Sequence, residues 1–155
     1  MTVEMLLEIV ENPKAFLLKC RKARELIAAK RERIRGWRGL AESITATLSP
    51  DGGGIGNGYK QSIIENAVCN IAELENEILA EIEALVKTEK NVRCAIDVLI
   101  ADDRHRVVLE LRYLNGYSWG LIAGKLGYGE DWVCRLHGAA LSKMKAAAKV
   151  TVLSR

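Results

Sequence analysis

Residues 104–145, RHRVVLELRYLNGYSWGLIAGKLGYGEDWVCRLHGAALSKMK, decide the reading of this chain. Three helical runs are separated by two tight breaks. In the first run Val107, Leu111 and Leu114 recur at i, i+4 and i+7, which predicts one apolar stripe. Asn115-Gly116 stops it, because both residues tolerate positive φ at a helix end. Ser118 is suited to cap a second run by accepting from a backbone N–H that has no helical partner. Its inward residues are expected to be Ile122 and Leu126, with Ala123 small enough for a close crossing. Gly127 ends that run, and Tyr128-Gly129 leads into a third, whose predicted buried stripe is Val133, Leu136, Ala140, Leu141 and Met144. A short helix, a glycine turn and a longer helix form the helix-turn-helix layout, in which the second helix lies in the DNA major groove.

The segment LRYLNGYSWGLIAGKLGY (111–128), with VCRLHGAALSKM (133–144) after it, resembles region four of bacterial sigma factors. It is closer still to the sigma-like regulators of phages and prophages, the group of the ArpU and RinA late-gene activators. The resemblance is specific over 104–145. It continues more loosely upstream, where such proteins carry a long helical hairpin with a glycine-rich tip. It implies a transcription regulator that binds double-stranded DNA, with RNA polymerase as a further partner.

The third run has an open face opposite its buried stripe, carrying Asp131, Cys134, Arg135, Gly138, Ser142 and Lys145. By the resemblance, the residues that enter the groove are Glu130, Asp131, Trp132, Cys134 and Arg135. An arginine there can bond guanine O6 and N7, and an acid can accept from cytosine N4. The family usually has arginines where this chain has Glu130, Trp132 and Cys134, so its usual promoter element is not the expected target. Ser118, Trp119 and Lys125 are expected to position phosphates, with Lys143 and Lys145 assisting from the third run.

Composition bounds the rest. A chain of 155 residues, 49% hydrophobic but only 5% aromatic and with two prolines, suits a helical protein built on Leu, Ile and Ala. Cys20, Cys69, Cys94 and Cys134 are scattered without a C-x-x-C pair, which predicts reduced thiols and no zinc site. No apolar run approaches the ~18 residues of a membrane span. Residues 1–10 carry Glu4 and Glu8 and lack a basic leader, so no signal peptide is expected. The expectation is a protein of the bacterial cytoplasm.

Taken from the start, residues 2–11 read as a short helix with Thr2 at its cap. Asn12-Pro13 reads as a cap followed by proline at the first helical position. Phe16, Cys20, Ala23, Ile27, Lys30, Ile34, Trp37, Ala41, Ile44 and Leu48 then alternate in steps of four and three, a heptad seam with Lys30 as its polar member. Gly36 and Gly39 each weaken that helix by roughly 1 kcal/mol relative to Ala, marking a bend or a close neighbour. A second seam, from Ile64 through Ala67, Ile71, Leu74, Ile78, Glu81, Leu85, Thr88, Val92 and Ala95 to Leu99, predicts a helix from about Lys60 to Ile100. Two seams joined by a short loop predict an antiparallel hairpin.

The loop, residues 49–58, holds five glycines and a proline and is expected to be a non-helical hairpin tip. A nucleotide loop needs a preceding strand and a following Lys-Ser/Thr, and neither is present.

Charge supports the pairing. Residues 14–38 hold ten Lys or Arg against two Glu, and residues 60–100 hold four against eight acids. Folding at the tip brings Lys30, Arg31, Arg33 and Arg35 near Glu73, Glu75 and Glu77. The basic residues spread around their helix, which favours a solvated face paired with an acidic partner over a nucleic-acid stripe. Residues 102–155 carry nine Lys or Arg and five acids, while the first 101 carry fourteen and fifteen. The positive excess thus sits on the candidate DNA module, as phosphate binding requires.

His105 and His137 lack carboxylate partners at ligand spacing and are expected on helix surfaces or at caps. Trp119 and Trp132 fit packing better than base stacking. No catalytic triad, carboxylate pair or metal-ligand set emerges, so no enzyme and no cofactor are expected.

The expectation is an all-α chain: an N-terminal helix and coiled-coil hairpin over 1–101, then a helix-turn-helix domain over 102–155. Functionally it is a sequence-specific regulator, homodimeric through the coiled coil. The alternatives are a DNA-packaging protein like a small terminase subunit, or an interaction module of the same fold without DNA binding. Packaging proteins commonly place the helix-turn-helix first, the reverse of this order. Glu130 and Asp131 are the features that favour the interaction module.

Overall fold

The computed structural model describes residues 1–47 and 56–154, with Asn57 as backbone only. Leu48 and residues 49–55 of the glycine-rich tip lie outside the described residues. The chain is all-helical, with six α-helices and one π-helical turn among the described residues and no strand. None of these helices is long and apolar enough to cross a membrane.

Four of the helices start where the sequence offers a side-chain acceptor. The Thr2 hydroxyl caps α1 (Val3–Glu11) by accepting from the Met5 N–H. Asn12 Oδ1 accepts from the Ala15 N–H at 3.0 Å, and Pro13 opens α2 (Pro13–Ala46). Helix α3 runs Asn57–Leu99, so Asn57 and Gly58, expected in the loop, are already helical. Asp102 Oδ1 accepts from the Arg104 N–H at 2.9 Å and opens α4 (Asp103–Leu109). A π-helical turn, Glu110–Leu114, follows without a break, then α5 (Trp119–Leu126) and α6 (Glu130–Leu153).

Packing divides the chain into two compact units: Met1–Ala23 with Leu85–Arg155, and Arg24–Ala84. This differs from the 1–101 and 102–155 division, because the start of α2 and the end of α3 share a core with the C-terminal helices. In that core Leu6, Ile9, Phe16, Leu17, Ile96 and Ile100 meet Leu109, Tyr113, Ala140 and Met144. Arg106 ties the two stretches by donating from Nε to the Ile100 carbonyl at 2.5 Å and from Nη2 to the Asp97 carbonyl at 3.1 Å. Asp97 lies in the last turn of α3 and Ile100 just beyond its end, where carbonyls lack a helical N–H to accept from.

The second unit is the hairpin. Ile27, Ile34, Ala67, Leu74 and Ile78 are buried there, as the heptad spacing predicts. The two charged seam members meet each other: Lys30 Nζ lies 3.1 Å from Glu81 and 3.1 Å from Glu77. Glu77 first, then Glu81, hold the Lys30 ammonium above its ordinary range. Arg38 pairs with Glu75 at 2.8 Å, while Arg35 pairs within its own helix with Glu32. Gly36 and Gly39 are exposed, and a methyl at either would meet nothing within 4 Å, so no neighbour explains them.

Candidate nucleic-acid interface

The C-terminal segment is built around a small core of Val108, Ile122, Ala123, Val133 and Leu136, with Leu111, Tyr117, Trp119 and Leu126 packed on it. Ser118 Oγ accepts from the Leu121 N–H and caps α5. Gly127 takes φ 69°, and the next N–H, of Tyr128, returns to the Ala123 carbonyl at 3.0 Å. That left-handed residue turns the chain sharply enough for α6 to pack back on α5.

The stripe expected on α4 is displaced. Val107 is 39% exposed, Leu111 and Leu114 are only half-buried, and Val108, Leu109 and Tyr113 are the buried residues. The buried face already runs through His105, Val108 and Leu109, ahead of the π turn, and continues to Tyr113 four residues after Leu109, so the stripe lies one step round from the expected one. The Asn115 N–H bonds to the Glu110 carbonyl five residues back, which closes the segment as a π turn.

On α6 the buried residues are Val133, Leu136, His137, Ala140, Met144 and Ala148, with Leu141 half-buried. The face expected to be open is open: Asp131, Cys134, Arg135, Gly138, Ser142 and Lys145 are all exposed. Trp132 is 44% exposed, with the Arg135 guanidinium 5.8 Å from its ring centroid. Arg135 Nε also reaches toward the Asp131 carbonyl at 3.4 Å. This arginine and tryptophan thus stand together on the first two turns of α6.

Several candidate residues have structural work. Glu130 and Asp131 occupy the first turn of α6, where the positive end of the helix dipole favours acids. Glu130 also folds toward α5, so that a Cβ on Gly120 would lie 2.9 Å from its Oε1. Trp119 is half-buried, its ring edge-on to His137 at 4.8 Å and under the Arg112 guanidinium at 4.2 Å. Lys125 is exposed and its ammonium sits 5.3 Å from the Tyr117 ring. Lys143 is exposed along its stem, but its Nζ lies 3.3 Å from His105 Nδ1.

Neither histidine is a surface residue. His105 is buried, with Asp102 Oδ2 at 3.6 Å from Nδ1 beside Lys143. His137 is buried with its Nε2 2.8 Å from the Tyr113 hydroxyl. Burial, then the charges of Lys14 and Arg112, push His137 down to about 4. Burial pushes the Tyr113 phenol up to about 12. Both groups are therefore neutral near pH 7 and hold each other by a shared hydrogen. Arg112 completes the cluster: its Nη1 donates to the Tyr117 carbonyl at 2.8 Å, and burial lowers its pKa. Sequence spacing offered no sign of this network, since the Tyr113 and His137 positions are 24 residues apart. The only local hint was a histidine one step after Leu136 on a helix whose stripe is wide.

Among the described residues no group of His, Cys, Asp and Glu is gathered to hold a metal ion. Comparison of the chain with protein-family models, with curated proteins and with solved structures finds no match.

Proposed function

We propose that this protein is a sequence-specific, DNA-binding transcription regulator of the sigma-like phage or prophage type, acting in the cytoplasm of a bacterial host. In this reading α5, the Gly127 turn and α6 act as a helix-turn-helix, with α6 in the major groove. The observation that carries it is the open face of α6, where Arg135 and Trp132 stand exposed on the first turns above a well-packed three-helix core. Arg135 reads a guanine, flanked by Asp131, Cys134 and Ser142. Ser118, Lys125 and Lys145 meet phosphates, as helix ends and exposed ammonium groups do. Trp119 and Lys143, engaged with His137 and His105, support that surface from behind. The hairpin joins two copies, so that two recognition helices meet half-sites, and RNA polymerase is the partner through which binding is read out.

The test is duplex-DNA binding across a salt series. A protein that neutralises a few phosphates loses affinity steeply, with a log–log slope of about 0.9 per phosphate. No binding, or a response flat in salt, would turn the reading toward an interaction module of the same fold. Glu130 and Asp131 at the entry end of α6 are the feature that favours that second reading, because paired acids repel phosphate.

A further inference from the structure

The hairpin's seam is not its only apolar surface. On α3, one step round from the seam, Val68, Ala72, Glu75, Leu79 and Ile82 recur at spacings of four and three. Val68 is 57% and Leu79 62% exposed. Heptad spacing on a second stripe is what a helix carries when it packs on two neighbours, one on each side. Within the unit Arg24–Ala84, α2 occupies only the seam side.

That second stripe forms one wall of a groove of about 620 Å³. Its floor is Ile34 and Ile78, and its apolar wall is Leu79 and Ile82. The opposite wall is cationic, formed by Arg31 and by Arg35, which pairs with Glu32 of the same helix, with the Arg38–Glu75 ion pair near one end. An occupant must therefore present apolar side chains on one side and carboxylates on the other. Helix α3 itself has that chemistry: between residues 57 and 84 it holds six Glu and one Lys beside its apolar stripe, and Glu65, Glu73 and Glu83 stand outside the ion pairs that Glu75, Glu77 and Glu81 make with Arg38 and Lys30. We propose that the groove is a self-association surface, occupied by α3 of a second copy of this chain. In the resulting four-helix arrangement each α3 sets its exposed stripe on the stripe of the other, and its acids face the other copy's Arg31 and Arg35. Opposite charge at such flanking positions selects the partner, while the buried stripe supplies the affinity.

This deepens the homodimer part of the proposed function and rests on it. The experiment is the mass of the full chain in solution without DNA, measured across the micromolar range for the protein and three variants. Leu79→Glu, at an exposed position, and the double reversal Arg31→Glu/Arg35→Glu are each expected to convert a dimer into a monomer of unchanged helicity. Leu40→Glu, on the far flank of α2 from the groove, is expected to leave the dimer intact. A monomeric wild-type protein, a closed ring of many copies, or a dimer that both groove variants leave unchanged would overturn the proposal. Because no DNA is present, each of those outcomes leaves the DNA reading to its own salt test.

Discussion

The Tyr113 hydroxyl and His137 Nε2 lie 2.8 Å apart in the interior, joining the π-helical turn to α6. The bond lies on the same side of α6 as the buried Val133, Leu136, Ala140 and Met144, whose packing turns the opposite side of the helix to solvent. His137 lies on the buried side next to Leu136, and Arg135 therefore points outward.

The pair makes stability depend on pH. His137 titrates at about 4 when folded against an ordinary 6.5, so in that interval the unfolded chain takes up a proton that the folded chain refuses. Stability is full above 6.5 and declines as pH falls toward 4, by about 2 kcal/mol after allowance for partial water access. Urea unfolding at the two ends of that window checks this. Tyr113→Phe is expected to cost about 1–3 kcal/mol at neutral pH, because it leaves the buried imidazole nitrogen without its partner.

The hairpin's charged seam members are expected to act as a unit. Lys30→Leu leaves both Glu77 and Glu81 without their cation, whereas Glu81→Leu leaves Lys30 with Glu77 alone, so each single change should lower the urea midpoint, the first by more. Lys30→Leu with Glu81→Leu is expected to recover or exceed wild-type stability, since it completes the apolar seam. It should also loosen the choice of partner and register that the ion pair imposes. A double-mutant cycle in urea measures the coupling, and additive single effects would show that the two residues act independently.

Glycines separate into two kinds. Gly36→Ala and Gly39→Ala fill open space on an exposed helical surface and are expected to gain about 0.5–1 kcal/mol each. Gly127→Ala is expected to lose about 1–2 kcal/mol, because φ 69° drives a Cβ against the following carbonyl. Thermal unfolding of the three variants distinguishes them by sign.

Much of this architecture is legible in the sequence because it is local. Thr2, Asn12 and Ser118 announce helix starts by side-chain chemistry alone, and each caps the helix expected of it. The pairing of a basic with an acidic helix follows from two heptad seams and a fold-back, but not its register: Lys30 meets Glu77 and Glu81, and Arg35 turns to Glu32 of its own helix. The run VVLELRYL has too many apolar residues for periodicity alone to select a face. The shared core of Phe16, Ile96 and Met144 depends on contacts between distant segments, which no spacing encodes. On α6 the open face was readable from its buried stripe. The structural duties of Trp119, Glu130 and Lys143 were not, because their partners come from other helices.

The central claim, that α6 reads DNA through Arg135, is tested most directly by sequence selection. Wild-type protein and Arg135→Ala are each used to enrich binding sites from a random duplex pool, with helicity and solution mass measured alongside. A bidentate arginine–guanine contact gives about 1–3 kcal/mol of discrimination. The wild-type protein is expected to enrich a defined sequence containing guanine, and Arg135→Ala to lose that enrichment while keeping its helicity, mass and salt-dependent binding to random DNA. Enrichment of the same sequence by both proteins would contradict the account.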